Sequence, residues 1–585
     1  MSEKKYVTYE EFGAKGDGVN DDFFAIKAAH DYANENGLPV KANDSASYYI
    51  HDTRVDGTVE SIIIKTDTEW GNCNIIIDDR DLDYYESESV RKMCTTNVFK
   101  VTSDYEPITL TDENPEDKEK LVALGKIGEK WGTTKLDLGL GYPAMVVVFN
   151  KNHKIYRRYG KAYNYNGGAV QKELLLLDKD GNVDEMTPFL FDYDEVTKVI
   201  IYRTDIKPIT ISGGTVTTRA CRVNASKMIM VDGVEKRRDS GYYARGINVN
   251  RSYTTVLGLK HYVTDEITPD EHRTLNIKGA HYFGFFHGSE ATHITFKNCI
   301  LTGRRYYQVQ GTYDFVADTV NKIVLDGCVQ HNFWIDKDGN PSDAEHGESS
   351  MRYNDINGNE VRHCWGIGGT NYCKNMEYIN STISRFDAHC GLLNGKVIGC
   401  TINFLAITGK GDFILEDTKC YSIDKGVINN SLIYMRDDYG SPWNGKVTIK
   451  NVEANVADDE FWLFFHSYAN WDFGYKCCIP ELEMENFTIA NKGEGFVVKY
   501  ITEERSVCRE PNMHLPVTKN VHPVRDETTL DPDMDSYENL NIIGMPAKIS
   551  IKGNTGGLKF YIPDVKCFES TVIEADEGTV IRTLD

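Results

Sequence analysis

No apolar run of about 18 residues occurs anywhere in the chain, so no membrane-spanning helix is expected. The opening Met1-Ser2-Glu3-Lys4-Lys5 leads into polar sequence without an apolar signal core, which gives the cytoplasm as the expected location. No Cys-x-x-Cys pair is present. The 14 cysteines are scattered, with Cys477-Cys478 the only close pair, which removes the usual sequence basis for a zinc ribbon or a redox motif. An excess of positive charge is also missing. Lys and Arg total 65 against 88 Asp and Glu, a net charge of −23, which disfavours nucleic acid and anionic membranes as partners. An acidic sugar stays open, because a local arginine cluster can override the global field.

What is present is core material. The 585 residues are 41% hydrophobic and 11% aromatic, with 34 tyrosines, which suits a globular chain long enough for several domains or one long solenoid. Segments 294–301, 323–330, 376–384, 396–404, 413–421, 447–455 and 482–490 share one design: a short alternating strand, a turn residue, a second short strand. Coils of a solenoid need this pattern, since each buries its apolar edge only against its neighbours. The turn residues are Asn298, Gly327, Asn380, Gly399, Asp417, Asn451 and Asn486, at spacings of 29, 53, 19, 18, 34 and 35. Short coils therefore alternate with coils that carry inserted loops. Cys299, Cys328, Ser381, Cys400, Thr418, Val452 and Phe487 each follow a turn residue directly. The bland reading, a column of small or apolar side chains inside the solenoid, is preferred to metal ligands or disulfides.

Near the N-terminus, Phe12-Gly13-Ala14-Lys15-Gly16-Asp17-Gly18 is followed by Asn20-Asp21-Asp22 and a stretch with Phe23, Ile26, Ala29 and Ala33 at helical spacing. Asp21 or Asp22 can cap that helix. Over about 25 residues this segment resembles the N-terminal cap of the pectate-lyase-like superfamily of right-handed parallel β-helices, which includes polygalacturonase-like hydrolases, polysaccharide lyases and tailspikes. The resemblance implies an all-β right-handed parallel β-helix with a capping helix, and a saccharide as partner. A homo-oligomer, dimer or trimer, is compatible with it, and a tailspike released by lysis would show the same unadorned N-terminus. The expected layout is a cap and first coils over 1–100, an inserted mostly-β module over 101–205, the main β-helix over 206–500 and a closing region over 501–585.

Within the expected β-helix, Arg385-Phe386-Asp387-Ala388-His389 stands out. On a strand, Arg385, Asp387 and His389 share one face and Phe386 and Ala388 the other. That displays a cation, a carboxylate and an imidazole above an apolar anchor, the equipment for acid–base work on a sugar or for gripping an anionic one. A simple Arg385–Asp387 pair on a solvated face is the competing reading. Asp387 and His389 are the catalytic candidates here. Asp437 and Asp438 are the candidate partner carboxylates, although Asp-Asp-Tyr-Gly is also good turn chemistry. Arg385, Trp365, Asn371, Tyr372, Arg436, Tyr439, His331, Trp334 and Arg304 are candidates for holding the sugar, by stacking or by gripping a carboxylate. Trp443, Trp462 and Trp471 either line a sugar groove or pack a loop. Taking Asn380 and Asn430 as equivalent turns puts Asp387 on Asp437 about three coils apart, on the order of 14 Å. A glycosidic bond needs carboxylates roughly 5–9.5 Å apart. If the segment from Cys420 to Asp437 is instead a loop excursion, the distance shrinks to fit.

The polygalacturonase pattern of Asn-Thr-Asp, paired Asp, Gly-His-Gly and Arg-Ile-Lys is absent. Phe386-Asp387-Ala388-His389 is similar to the Phe-Asp-Pro-His core of alginate-type C5-epimerases, which are also β-helices, although Cys390 stands where those enzymes carry an acidic residue. The expected activity is glycoside hydrolysis of an oligo- or polysaccharide. The alternatives are a uronate lyase or C5-epimerase, and a non-catalytic, tailspike-like glycan-binding protein. No cofactor and no dedicated metal-ligand set is expected, while acidic loops could hold calcium.

Overall fold

The computed structural model describes residues 5–156, 169–223, 228–231, 233–237, 241–275, 277, 279–304, 312–331, 334–335, 341–342, 352–354, 360–362, 368–421, 431–435, 443–455, 461–466, 477–478, 480–490, 492, 496–501, 543–544, 546–562 and 571–582. Alternating strands separated by turn residues wind into a right-handed parallel β-helix, with 33 strands in its sheet among the described residues. The first face stacks Thr254–Leu257, Thr292–Lys297, Asn321–Asp326, Lys374–Ile379, Leu392–Ile398, Gly409–Glu416 and Trp443–Asn455 in register. The second face runs through Lys260–Thr264, Ile300–Leu301, Val329–Gln330 and the start of Thr382–Cys390. The third runs through Ile247–Asn250, His281–Ser289, Tyr313–Asp318, Gly368–Asn371 and the end of Thr382–Cys390.

In the described coils from Asn298 onward the corner between the first and second faces is a single left-handed residue. Asn298, Gly327, Asn380, Gly399, Asp417, Asn451 and Asn486 all have φ between 48° and 65°. Asparagine and aspartate tolerate this conformation, and glycine adopts it at no steric cost. Side-chain amides join successive turns: Asn451 Nδ2 donates to Asp417 Oδ1 and Asn486 Nδ2 to Asn451 Oδ1, both at 2.9 Å. The residues that follow the turns, Cys299, Cys328, Ser381, Cys400, Thr418, Val452 and Phe487, are all buried. The cysteines of this column are free, and burial pushes the Cys400 thiol up to about 11. At the N-terminal end the same corner is glycine. Gly213 sits at φ 71°, and a Cβ there would lie 2.4 Å from the Gly71 carbonyl oxygen of the neighbouring coil. Gly213→Ala is therefore expected to cost about 2 kcal/mol or more, read as a lower midpoint in urea unfolding.

An aromatic ladder fills the interior. Phe296, Phe315, Tyr378, Phe386, Phe413 and Trp443 follow one another in edge-on contacts with centroids 4.9–6.3 Å apart. Phe386 and Ala388 point inward as the alternation requires, both at 0% exposure. Trp443 belongs to this ladder, and its indole donates to the Gly411 carbonyl, so it packs the core and lines no groove.

The helix Phe23–Asn36 covers the N-terminal end, burying Phe23, Ile26, Ala29, His30 and Ala33. Asp22 occupies its N-cap position, but its carboxylate accepts from the backbone of Lys15, Gly16 and Tyr49 and so ties the glycine-rich loop to the first coil. His30 is buried and bonded to the Tyr9 hydroxyl. Burial pulls His30 down to about 3, and it pulls His287 on the third face down to about 4. The unfolded chain protonates these imidazoles near their ordinary 6.5, whereas the fold resists it. Their contribution to stability is therefore complete above that value and is lost as pH falls toward 4 and then 3. Stability measured by urea unfolding is expected to decline with falling pH over this window, with a shallower slope in His287→Gln.

Between the third and first faces the chain leaves the coils at residue 103 and returns at the strand Ile209–Arg219. It builds a four-stranded antiparallel sheet from Ile108–Thr111, Ala144–Tyr156, Ala169–Leu177 and Lys198–Arg203. One side of this sheet has its own core, including Val146, Val148, Leu175 and Val199. At the other end of the chain, Lys548–Lys552, Lys559–Tyr561 and Val572–Ala575 pair in parallel with earlier strands. Part of the segment expected to close the solenoid thus extends it.

Candidate functional site

The row at 385–389 owes its setting to loop lengths. Connections from the second to the third face span 79–98, 220–246, 265–280, 302–312 and 331–367 in successive coils. In the next two coils the connection vanishes. Thr382–Cys390 and Thr401–Ile407 run straight through the corner, and they pair with each other from Thr382↔Thr401 to Asp387↔Ala406. After them, nine residues separate the strands Lys419–Tyr421 and Ser431–Met435. Among the described residues, these two coils thus form a strip whose second and third faces are joined without an intervening segment, unlike the coils before and after them.

On this strip Arg385 donates to the Asp387 carboxylate in a tight ion pair. Asp387 is completely covered, and Arg385 keeps 16% of its side chain exposed. The positions beside Asp387 are small: Ala406 pairs with it on one side, and Gly369 precedes Thr370, which pairs with Ala388, on the other. Thr370 Oγ1 donates to the Asp387 carbonyl at 2.7 Å. The register slips between Thr370↔Ala388 and Asn371↔Cys390, which makes His389 the extra residue of a β-bulge. Bulges re-aim side chains, and His389 is half-buried on the outer side of the strand. Asn371 and Tyr372 follow at once, with Tyr372 in the left-handed region at φ 53° and its amide donating to the Cys390 carbonyl at 2.8 Å. Arg385, Asp387, His389, Asn371 and Tyr372 thus gather on one edge of adjacent coils.

The partner carboxylates need a revised register. Thr401–Ile407 pairs with both Lys419–Tyr421 and Ser431–Met435, so these two strands lie on one rung. Ser431–Met435 therefore begins no new rung. Asp387 aligns through Ala406 with Tyr434, and the strand leading toward Asp437 and Asp438 lies two rungs from the row. Two rungs are about 10 Å, against the three rungs expected from the Asn380–Asn430 alignment. Arg436, Asp437, Asp438, Tyr439 and Trp365 themselves lie outside the described residues.

The remaining candidates are elsewhere. Trp334 is on the short strand Trp334–Ile335, which pairs antiparallel with Pro341–Ser342. His331 stands edge-on to Tyr262 with ring centroids 4.9 Å apart. Arg304 is not on the outer face. It is 2% exposed, lies 3.7 Å over the Tyr282 ring and has Nε 3.7 Å from the Asp314 carboxylate. The cause is an interior polar network that the sequence did not announce. His261 Nδ1 bonds Asp314 at 2.7 Å, His261 Nε2 bonds Thr218 at 2.9 Å, and Arg245 pairs with Asp79 at 3.0 Å, all at or near zero exposure. Burial lowers the His261 imidazole and raises the Asp79 carboxyl, against the pull of their charged partners. Such groups hold coils together and are out of reach of a ligand. Among the described residues no cluster of His, Cys, Asp and Glu is placed to hold a metal ion.

Sequence reasoning also missed the contribution of the inserted sheet. The strand Ala169–Leu177 lies against the turn at Tyr372, where Lys374 Nζ meets Glu173 Oε1 at 2.8 Å with both side chains at 0% exposure. Lys172 Nζ sits 3.4 Å from the centre of the Tyr372 ring. Nothing in the alternation of that strand marks either residue.

No protein-family model matches the chain, and no curated protein does. Among solved structures, similar chains include the tailspike gp49 of Pseudomonas phage LKA1, at 12% identity over 98% of this chain and 84% of that one, with a TM-score of 0.43. The Gp54 tailspike of Acinetobacter baumannii bacteriophage AP22, solved with a capsular saccharide, is 8% identical over 99% and 79%, with a TM-score of 0.42. A family 28 exopolygalacturonase of Yersinia enterocolitica is 10% identical over 85% and 78%, with a TM-score of 0.28. At such distances the chemistry has to come from the chain's own residues.

Proposed function

We propose that the protein is a carbohydrate-active enzyme that holds an oligo- or polysaccharide across the two loopless coils and cleaves it by hydrolysis. The observation that carries this reading is the corrected register, which brings the strand before Asp437 and Asp438 to two rungs, about 10 Å, from Asp387. One carboxyl would protonate the leaving oxygen and another activate water from the opposite side of the ring, a pairing that needs roughly 6.5–9.5 Å and so requires the chain after Met435 to bring Asp437 or Asp438 back toward the row. Asp387 and one of Asp437 or Asp438 take these roles, with Arg385 and His389 contacting the sugar as the outer members of the row. Binding has to uncover Asp387, and a swing of the Arg385 guanidinium is the local movement that does so. Hydrolysis at this separation inverts the anomeric carbon. The first product released from a cleavable glycan is therefore expected to carry the inverted configuration by proton NMR, and retention would remove the two-rung pairing.

A second reading, a uronate lyase or C5-epimerase, is favoured by one feature: the reachable groups of the row are a guanidinium and an imidazole, with the carboxylate beneath them. Incubation with neutral and uronic glycans separates the two. New reducing ends without ultraviolet absorbance of an unsaturated uronate support hydrolysis, and both together support the lyase. Binding with neither signal supports a non-catalytic glycan-binding protein.

A further inference from the structure

We propose that Lys172, carried by the inserted sheet, extends this site and selects a sugar bearing an anionic group, an inference that rests on the glycan reading above. The neighbouring residue fixes its place. Glu173 is locked to Lys374 at zero exposure and also accepts from the Leu190 and Phe191 amides at 2.7 and 3.1 Å. That clamp sets the strand Ala169–Leu177 against the turn at Tyr372, one residue beyond Asn371. Lys172 then reaches the Tyr372 ring at 3.4 Å, with the Phe149 ring 5.9 Å away on its own sheet. Tyr372 is tied through its amide to Cys390, the neighbour of His389. A cation from a segment remote in sequence therefore stands at the end of the row Arg385–Asp387–His389.

Among the described residues no carboxylate lies within ion-pair distance of Lys172. Asp318 is near enough to favour the ammonium, yet its own carboxyl is pushed up by burial. Burial likewise pulls the Lys172 amine down. A half-buried ammonium that rests on aromatic rings has given up part of its hydration without gaining an anion in direct contact. A carboxylate or sulfate on a bound sugar supplies that anion. Arg385 at the other end is already paired with Asp387, and on a protein of net charge −23 general attraction of polyanions is weak, so recognition of an anion has to be local to Lys172.

The test is binding by affinity electrophoresis and calorimetry to polygalacturonate, dextran sulfate and neutral dextran, for the wild type, Lys172→Met and Lys172→Arg. The wild type is expected to bind an anionic polymer and not dextran. Lys172→Met should weaken that binding about tenfold or more with an unchanged melting temperature, and Lys172→Arg should keep most of it. The uronate and the sulfate arms identify which anion is read. Unchanged binding by folded Lys172→Met, a wild type that prefers dextran, or a wild type that binds none of the three overturns the inference. If Lys172→Met melts early, Lys172→Arg and protection of Lys172 from acylation by the bound polymer decide. The hydrolase reading is tested separately by new reducing ends on the wider glycan panel, so the two can fail independently.

Discussion

Glu173→Gln is expected to lower the stability of the protein by about 3–5 kcal/mol, the largest effect of any single substitution considered. Lys374 and Glu173 are wholly removed from water, and burial already holds the Lys374 amine below the ordinary lysine range. Its other polar contact is the Pro188 carbonyl at 2.6 Å, which carries no compensating charge. Taking the charge from Glu173 leaves an ammonium in the interior with only dipoles around it. The inserted sheet then loses its grip at that point, since the other ties from the segment 186–190 are single bonds from Asn375 to Met186 and from Lys410 to Leu190. Urea unfolding followed by circular dichroism measures the loss, and limited proteolysis between residues 103 and 208 should appear with it. The double variant Glu173→Gln with Lys374→Met should recover part of the stability, because it removes the unpaired ammonium while the glutamine can still accept from the Leu190 or Phe191 amide. A Glu173→Gln protein as stable as the wild type would mean that the pair is open to solvent.

Asp387→Asn is expected to reduce turnover of a cleaved glycan by about 100-fold or more, the order of a lost acid or base. The substitution preserves shape and can still accept from Arg385, so the melting temperature should move far less than the rate. His389→Ala separates the chemistries. Under hydrolysis it weakens binding and leaves residual turnover, whereas under lyase or epimerase action it removes the group that exchanges the C5 proton. Full activity in Asp387→Asn would return the Arg385–Asp387 pair to a purely structural role.

Much of the architecture was legible because a solenoid is specified locally. The left-handed asparagines and glycines, the buried column after them and the inward Phe386 and Ala388 each follow from one or two residues and the alternation of a strand. The register near Asn430 was not legible for the opposite reason. Whether 422–430 is a coil or an excursion depends on which rung Ser431–Met435 joins, and pairing with Thr401–Ile407 is a contact remote in sequence. Arg304 misled in the same way. A doublet of arginines before tyrosines looks like surface, but Asp314 and the Tyr282 ring draw this guanidinium inward. Trp443 shows how little a tryptophan says of its surroundings, since indole lines a groove or fills a core equally well. Lys172 lay beyond reach, because its meaning comes from a turn two hundred residues away.

The two loopless coils also make the protein a ruler. Each coil of 18 or 19 residues is a self-contained step along the axis, and the chain can gain or lose one without disturbing the turn ladder on either side. The walls of the strip would move apart or together by one strand spacing, ~4.8 Å, with each such change. Under the proposed function, the span of glycan that fits is set in whole steps by how many consecutive coils omit their loop, and reach would change by duplication or deletion of a coil while the contacting residues stay as they are.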